Sequence, residues 1–384
     1  MTVPQDSVLH RLRTLVGADP DRFARSVFSR FLGLTPAARE LFPADMSRVR
    51  PAFVEVTDHV LAELPEGGDH FELIELLAQL GRDNRKYGAR EEHYELLGQA
   101  LTDEFAALLG DGWTPDAAQT VSQAVLLATG VMRGAAQSAT GPATWRARVV
   151  QKFVINRERA VVRLAALDPV PEIYPGQYLE TRIPQWPFQW RDFSPATPVD
   201  DRGELEFHIR AVPGGQVSGT VVRETAVGDV WSFAQPHGTL AVDGDRPVLM
   251  VAGGTGLAPL RALLLSMAQR TDNPSVHLFY GARFPAELYE LATLAQLATG
   301  NPWLTVTGTV DEQRDPWWID TAPDPHQWGV PVVGGRVDEV VAAAGDWTGR
   351  QVLIAGPSAM ISSTVRALRA VGVPADAIAH DPVH

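Results

Sequence analysis

The chain has no cysteine among its 384 residues. That absence excludes disulfide bonds, thiolate zinc sites, cysteine nucleophiles and cysteine-ligated iron–sulfur clusters. The sequence also lacks an uninterrupted apolar run of membrane-spanning length, and its start, MTVPQDSVLHRLRTLVGADP, has neither the basic region nor the apolar core of a signal peptide. We therefore expect a cytoplasmic protein without a membrane partner.

Basic side chains are fewer than acidic ones. The 33 Lys and Arg residues stand against 46 Asp and Glu residues, and the formal net charge is -13. Because a negative chain repels phosphate backbones at long range, a nucleic-acid partner is not expected. A length of 384 residues is enough for two or three domains, each with its own core.

Three kinds of sequence pattern follow one another along the chain. In residues 1–142, apolar residues recur at three- and four-residue spacing, as in DRFARSVFSRFL, and predict an all-α domain. In residues 143–245, short β-branched or aromatic runs such as ELEFHIRAV, separated by Pro and Gly, predict an antiparallel β-barrel. In residues 246–384, strands such as PVLMVAGG alternate with helical stretches such as LAPLRALLLSMAQ and PAELYELATLAQ. That alternation predicts an α/β domain with a parallel sheet and crossover helices.

Two glycine turns at strand ends predict a dinucleotide site. The strand in VLMVAGG runs into the turn Gly254–Gly256, and a helix is expected from about Pro259. Glycine lets the backbone turn sharply and approach a pyrophosphate, while the helix N-terminus offers free N–H groups. One such turn is also common in ordinary strand-to-helix connections. A second strand, in VLIAGPSAM, ends at Gly356 and Pro357 on the same edge of the sheet, and the pair of turns predicts a coenzyme cleft.

A second group of motifs, in the barrel segment, has the chemistry of a flavin site. Tyr178 begins a strand in YPGQYLETRIP, and WRDFSPATP follows with Arg191 and Ser194. An aromatic ring can cover a flavin, a serine hydroxyl can hydrogen-bond a ring nitrogen and an arginine can bind a phosphate. Each of these residues by itself also fits ordinary barrel packing. The segment VPGGQVSG then places glycines before a helix-like stretch, which is a further phosphate-binding arrangement.

The motifs PGQY, RDFS, GGQVS, GGTGLAP and AGPSAM occur in the order typical of the ferredoxin-NADP reductase superfamily, which residues 144–384 resemble. The resemblance implies FAD and a nicotinamide coenzyme, with hydride transfer from nicotinamide to flavin and protein groups that position the two rings. It implies Ser194 and Thr255 as catalytic residues and no metal ligand. The cofactor-binding residues that it implies are Tyr178, Arg191, Asp192, Phe193, Ser194, His208, Arg210, Gly215, Gln216, Val217, Ser218, Gly254, Thr255, Gly256, Pro259, Gly356, Pro357 and Met360.

The sequence departs from this family in two places. Ala355 stands where the family usually has cysteine, and residues 380–384, HDPVH, stand where it often has an aromatic residue over the flavin. These changes bear on the transfer rate rather than on binding. For the coenzyme, Arg283 suits a 2′-phosphate, whereas Glu287 and Glu290 oppose one. NADH is therefore the expected coenzyme, and NADPH is the alternative.

The N-terminal residues, up to about residue 141, resemble the globin part of flavohaemoglobins. FSRFLGLTPAARELFP is similar to the family's B helix and CD corner, with Phe42 at the haem-stacking position, and RKYGAREEHYELLGQAL to its F-to-G passage. Aligned on Tyr94, the family's iron-binding histidine falls at Asn84, and its distal tyrosine falls at Phe28. The family's buried glutamate has no counterpart in GVMRGAAQ. Because an amide is a poor iron ligand, the prediction is a globin fold that binds haem weakly or not at all.

Other histidines of this segment do not lie at the iron-binding alignment. His10, His59, His70 and His93 are more readily explained as partly exposed helix residues. The open alternative is an alignment that has slipped by one helical turn.

Three functions therefore compete. The first is an NAD(P)H-dependent FAD oxidoreductase that passes electrons to an unidentified small-molecule or protein acceptor and carries a haem-free globin-like domain. The second is a haem-containing flavohaemoglobin with nitric oxide dioxygenase activity. The third is a redox-sensing binding module with slow turnover, which only Ala355 indicates. The sequence favours the first function and leaves the oligomeric state open.

Overall fold

A computed structural model of the chain describes residues 7–43, 45–47, 49–64, 70–200, 202–317 and 325–381. The chain divides into two compact units, residues 1–144 and 145–384, each with its own buried apolar clusters. The finer division into residues 1–142, 143–245 and 246–384 stays a prediction. Among the described helices, none is both long and apolar enough to cross a membrane.

The first unit is built from α-helices. They are α1 (Val8–Ala18), α2 (Pro20–Leu34), α3 (Val49–Glu63), α4 (Phe71–Asn84), α5 (Glu91–Leu109) and α6 (Pro115–Ser138). Local sequence sets where two of them begin, because the side chains of Asp19 and Thr114 accept hydrogen bonds from the first turns of α2 and α6, and both helices start with proline. The predicted helical region is confirmed.

Close helix packing and an aromatic cluster stabilise this unit. Helices α4 and α6 approach so closely that a β-carbon on Gly81 would lie 2.1 Å from the carbonyl oxygen of Met132. Next to α2, the ring of Phe28 lies 5.2 Å from that of Phe42 and 5.1 Å from that of Phe53. Aromatic pairs at these centroid distances attract each other. An aromatic cluster therefore packs around Phe28 on α2.

The second unit begins with an antiparallel sheet. Its strands are β1 (Trp145–Asn156), β2 (Arg159–Ala166), β3 (Tyr178–Arg182), β4 (Arg191–Phe193), β5 (Glu204–Arg210) and β6 (Val230–His237), and helix α7 (Gln216–Arg223) lies between β5 and β6. They form one six-stranded sheet in the order β4-β3-β6-β1-β2-β5. The large side chains of Trp145, Phe207, Trp231 and Phe233 are fully buried in its core. The predicted antiparallel sheet is confirmed.

The two edges of this sheet approach each other beyond the end of β4. Pro195 forms an isolated antiparallel bridge with Phe207, and the amide of Ala196 donates to the carbonyl oxygen of Glu206 at 2.7 Å. This contact favours a sheet that closes on itself. The closed barrel itself stays a prediction.

The rest of the second unit is a parallel sheet with crossover helices. Its strands are β7 (Val248–Gly253), β8 (Val276–Ala282), β9 (Leu304–Val310), β10 (Val332–Gly334), β11 (Gln351–Ala355) and β12 (Ile378–Ala379), and its helices are α8 (Leu257–Met267), α9 (Leu291–Gly300), α10 (Val337–Ala343) and α11 (Ser358–Ala370). The strands pair in parallel in the order β10-β9-β8-β7-β11-β12. Strands β7 and β11 are buried along their whole length, which explains their largely apolar sequences. The predicted parallel sheet is confirmed.

One predicted helix is shorter than the sequence indicates. The helix expected over PAELYELATLAQ begins only at Leu291, and Pro285–Glu287 form a 3-10 turn instead. The Glu287 carboxylate accepts a hydrogen bond from the backbone amide of Arg283 at 3.2 Å and thereby holds the turn against the end of β8. Such a side-chain contact competes with helical hydrogen bonding.

The substitution Gly81→Ala is expected to destabilise the helical unit by about 1–3 kcal/mol, because the added methyl group meets the backbone of Met132. Gly130 in α6 is the matched control, since a β-carbon there would have no atom within 4 Å. Gly130→Ala should stabilise the chain by up to about 1 kcal/mol through helix propensity. Thermal unfolding of the full chain, followed by circular dichroism, measures both effects. An unchanged Tm for Gly81→Ala would contradict the close packing.

Candidate functional site

A cleft of about 710 Å³ lies within the second unit and is lined by residues of both of its sheets. One side comes from the antiparallel sheet, and the other from the C-terminal ends of β7, β8 and β11 and the turns after them. The predicted site residues that line it are Tyr178, Asp192, Phe193, Ser194, His208, Arg210, Gly254, Thr255, Gly256, Pro259, Gly356, Pro357 and Met360. The fold thus brings the flavin motifs and the nicotinamide motifs to one cavity.

The turns after β7 and β11 touch each other at the coenzyme side of the cleft. A β-carbon on Gly256 would lie 2.4 Å from the Cα atom of Gly356 and 2.5 Å from the carbonyl oxygen of Ala355. Gly254, in the same turn, has a φ of +55° and open space beside it. Gly256 is therefore required by the close approach of the two backbones, and Gly254 by its left-handed backbone conformation. The open side leaves room for a pyrophosphate.

The two residues predicted as catalytic line this cleft from different sheets. Ser194 follows β4, Thr255 lies in the turn after β7, and both are half-buried. Within the described part of the chain, neither hydroxyl makes a hydrogen bond. Each hydroxyl is therefore available to a bound ring as a donor or an acceptor.

Aromatic packing orders the side of the cleft that carries the flavin motifs. The ring of Tyr178 stacks on that of His237 with centroids 5.6 Å apart. The ring of Phe193 lies 6.3 Å from both Phe207 and Trp231. Neighbouring rings therefore pack against both Tyr178 and Phe193.

A half-buried carboxylate lies beside Tyr178. The Asp381 carboxylate accepts a hydrogen bond from the amide of Thr239 at 3.3 Å, and burial raises the pKa of Asp381. A β-carbon on Gly238 would lie 2.9 Å from Oδ1 of Asp381 and 3.2 Å from the Tyr178 ring. A carboxylate therefore lines the cleft near the chain end, where the sequence comparison expects an aromatic ring. Residues 382–384 lie outside the described part of the chain.

The two arginines of the predicted flavin site differ in their surroundings. Arg210 lines the cleft, and no described residue forms an ion pair or hydrogen bond with its guanidinium. An unpaired guanidinium in a cleft suits a phosphate. Arg191 lies outside the cleft lining, where it donates to the side chain of Gln189 at 3.2 Å. Gln189 in turn donates to Gln216 at the start of α7, at 2.7 Å.

The predicted phosphate turn, Gly215 to Ser218, also lies outside the cleft lining. Gly215 is the N-cap residue of α7, and the side chain of Val217 is buried in the core of the antiparallel sheet. The hydroxyl of Ser218 accepts a hydrogen bond from the amide of Val212 at 3.1 Å and so closes the turn. The backbone amides at the start of α7 are the groups of this turn that a phosphate could contact. They lie beside Arg191, which reaches α7 through Gln189 and Gln216.

The sequence suggests that Glu287 and Glu290 oppose a 2′-phosphate near Arg283, but in the structure these carboxylates pair with other arginines. Glu287, one of the two glutamates expected to oppose a 2′-phosphate, pairs with the buried Arg159 at 2.7 Å. Arg283 is 67% exposed and lies 3.2 Å from the Glu312 carboxylate. Glu312, which the sequence did not single out, is therefore the carboxylate that competes with a phosphate for Arg283.

Sequence reasoning missed a polar network at the cleft. Glu206 lies 3.1 Å from Nε2 of His208 and 3.2 Å from the guanidinium of Arg261. The hydroxyl of Tyr289 lies 3.0 Å from Nδ1 of the same histidine, and Arg261 also pairs with Glu290 at 2.9 Å. The one sequence signal is the spacing of Glu206 and His208, because residues two apart on a strand share a face.

Two family models match the second unit. The oxidoreductase FAD-binding domain matches residues 146–242, and the oxidoreductase NAD-binding domain matches residues 250–366. The chain therefore carries ferredoxin reductase-type FAD- and NAD-binding domains. The prediction of an NAD(P)H-dependent flavin oxidoreductase is confirmed at the level of these two domains.

The proteins to which the chain is similar in sequence include reductase components of oxygenases and flavohemoproteins. The reductase component of propane 2-monooxygenase from Rhodococcus jostii (strain RHA1) is 31% identical over 240 residues, 62% of this chain and 62% of that protein. The flavohemoprotein of Bordetella pertussis is 27% identical over 286 residues, 68% of this chain and 70% of that protein. The chain thus spans less than two thirds of the length of the monooxygenase reductase components that it matches.

A solved structure extends the likeness to almost the whole chain. The flavohemoglobin of Malassezia yamatoensis, with bound FAD and heme, has a TM-score of 0.71 and 17% identity, and the match covers 97% of this chain and 98% of that one. At this identity the likeness concerns the fold alone. The helical unit is consistent with a globin.

The substitution Gly256→Ala is expected to raise the KM for the nicotinamide coenzyme at least about tenfold, because a methyl group that meets Gly356 and Ala355 forces the two turns apart. FAD content should stay unchanged, since the flavin motifs lie on the other sheet. Gly300→Ala, at the end of α9 with no atom within 4 Å of an added β-carbon, is the control. Steady-state kinetics and flavin extraction distinguish the two variants. A wild-type KM for Gly256→Ala would contradict the assigned role of this turn.

Proposed function

We propose that this chain is an NAD(P)H-dependent FAD oxidoreductase that delivers electrons to a separate acceptor. The observation that carries the proposal is the shared cleft, where Tyr178 and Ser194 of the antiparallel sheet and Thr255 and Gly356 of the parallel sheet line one cavity. Bound flavin and nicotinamide supply the hydride and electron chemistry. The protein has to bring the two rings together, and a single cavity lined by both sheets does so.

The roles of the residues follow from their surroundings. The unpaired Arg210 fits a phosphate of a dinucleotide in the cleft, and Arg191 with the start of α7 fits a second phosphate outside the cleft lining. Tyr178 covers one ring, and the hydroxyls of Ser194 and Thr255 hydrogen-bond the reacting rings. The turn at Gly256 accepts the nicotinamide dinucleotide.

The helical unit is, in this proposal, a globin-like domain that does not hold haem. Its residues do not fit the group. The side chain of Asn84, at the position expected for the iron ligand, lies near the hydroxyl of the buried Tyr94, which donates to the carbonyl oxygen of Gly81 at 3.3 Å and whose pKa is raised by burial. Phe28, at the position expected for the distal tyrosine, packs against Phe42 and Phe53. Both positions serve internal packing, and nitric oxide dioxygenation at a haem is therefore not favoured.

The acceptor is proposed to be a partner protein. Three of the similar proteins are propane 2-monooxygenase reductase components, and another is the reductase subunit of an aromatic O-demethylase. A reductase component delivers electrons to another protein of the same enzyme, and this likeness favours a protein over a small molecule as the acceptor. A cytoplasmic location, expected from the sequence, stays a prediction.

Purified protein should show flavin absorption bands and no Soret band, before and after incubation with haemin. Asn84 offers haemin only an amide as an iron ligand, and Phe28, packed against Phe42 and Phe53, offers no distal hydroxyl. The retained flavin bands serve as the internal control for folded protein. A stoichiometric Soret band would reject this proposal and favour a haem-containing flavohaemoglobin. Slow, non-saturable flavin reduction by NADH in a stopped-flow instrument would instead favour a redox sensor.

The substitution Glu312→Gln should raise the kcat/KM ratio of NADPH to NADH about threefold to fivefold. An exposed ion pair contributes at most about 1 kcal/mol, and its removal frees Arg283 for a 2′-phosphate. Arg283→Ala should lower the use of NADPH and leave NADH unaffected. Arg350→Ala, which removes a cation stacked on Trp347, is the charge-matched control. An unchanged ratio in both Glu312→Gln and Arg283→Ala would remove Arg283 from coenzyme selection.

A further inference from the structure

A chain of hydrogen bonds crosses from the antiparallel sheet to the parallel sheet beside the cleft. Tyr289, in the segment between β8 and α9, reaches Nδ1 of His208 at 3.0 Å, and Nε2 of the same ring reaches Glu206 at 3.1 Å. The side chain of His208 is only 1% exposed, yet it lines the cleft. Its strand, β5, lies against the Gly254–Gly256 turn. His208 is therefore placed where the two proposed ring sites meet.

The protonation states of Glu206 and Tyr289, the two partners of His208, follow from the groups around them. Burial tends to raise the pKa of Glu206, but hydrogen bonds from His208 and Arg163 and the charge of Arg261 outweigh burial and lower the pKa to about 2. Glu206 is thus a carboxylate that only accepts, and Nε2 of His208 carries a hydrogen that it donates. Burial raises the pKa of Tyr289, which therefore stays protonated and donates to Nδ1. The imidazole is held at both edges, in one tautomer.

Ion pairs reinforce the same junction. Arg261 of α8 pairs with Glu206 of β5 and donates to the carbonyl oxygen of Ala196 at 2.7 Å. Arg159 of β2, with a side chain only 4% exposed, pairs with Glu287 from the segment after β8. All of these contacts join the part of the chain before residue 245 to the part after it.

Apolar packing connects the two parts in a different place. Among the described residues, the buried apolar cluster of the antiparallel sheet draws on residues 145–233, whereas Leu240 and Val242, after β6, pack into the cluster on one face of the parallel sheet. Apolar contacts are non-directional, whereas hydrogen bonds and ion pairs specify both distance and angle. The polar junction therefore fixes the distance and angle at which β5 meets the segment after β8.

The geometry points to His208 as a positioning residue for hydride transfer. We infer that its bonds to Tyr289 and Glu206 set the spacing between the flavin and nicotinamide rings, so that the Tyr289 hydroxyl, which does not line the cleft, controls the transfer rate. The inference rests on the proposed oxidoreductase function. Hydride transfer requires the reacting atoms to lie about 3–3.5 Å apart, and a displacement of about 1 Å costs on the order of a hundredfold in rate.

The test compares Tyr289→Phe with wild type in stopped-flow reduction of the bound flavin by NADH. Loss of the hydroxyl should lower the limiting rate about tenfold, with FAD content and the Kd for NADH within twofold of wild type. A lowered limiting rate with an unchanged Kd is what a change in the spacing of the two rings produces. A loss of general stability would lower the FAD content or raise the Kd as well.

Tyr94→Phe is the matched control, because Tyr94 is also a buried tyrosine whose hydroxyl makes a hydrogen bond, but in the other unit. It should leave the limiting rate unchanged. His208→Gln is a second variant, which removes the imidazole from both hydrogen bonds and should also lower the limiting rate, with the Kd for NADH within twofold of wild type. If Tyr289→Phe cannot be purified with FAD, His208→Gln decides the question.

The outcomes separate the two proposals. Wild-type flavin that dithionite reduces but NADH does not would reject the oxidoreductase function itself. Rapid reduction of the wild type, with the same limiting rate in Tyr289→Phe and His208→Gln, would reject only the positioning role of His208.

Discussion

The contact between Gly256 and Gly356 is the constraint on which the cleft depends. Strands β7 and β11 are neighbours in the parallel sheet, so the turns after them meet at one edge, and their backbones can approach because neither residue has a side chain. Thr255 on one turn and Met360 after the other are placed at the cleft as a result. A larger residue at this contact would push the turns into the space that a dinucleotide needs.

Apolar packing forms the parts of the second unit, whereas polar contacts join them. Trp231 and Tyr280 belong to separate buried clusters, and the pairs of Arg159 with Glu287 and of Arg261 with Glu206 lie at the junction. A buried ion pair adds little net stability, because desolvation offsets most of the attraction. Its contribution here is geometric, since each pair fixes one point of one sheet against one point of the other.

In the helical unit, close packing between helices holds the backbone. Phe28 lies in an aromatic cluster, and the buried hydroxyl of Tyr94 on α5 donates to the carbonyl oxygen of Gly81 on α4. A flavohemoglobin with bound heme shares the fold at 17% identity. That likeness concerns the backbone, which helix packing such as that at Gly81 holds, whereas a ligand depends on a few side chains.

The sequence by itself determined the local features of this protein, because each involves residues that are close along the chain. These features are the periodicity of strands and helices, the glycines at strand ends and the presence of an asparagine at position 84. From these followed the helical region, the parallel sheet and the FAD- and NAD-binding motifs. The PAELYE segment was predicted wrongly, because a contact between Glu287 and Arg283 outweighs its helix propensity. Only the tertiary structure decided how the two sheets are joined. His208 and Tyr289 are 81 residues apart, and no local pattern indicates which distant side chains folding brings within hydrogen-bond distance.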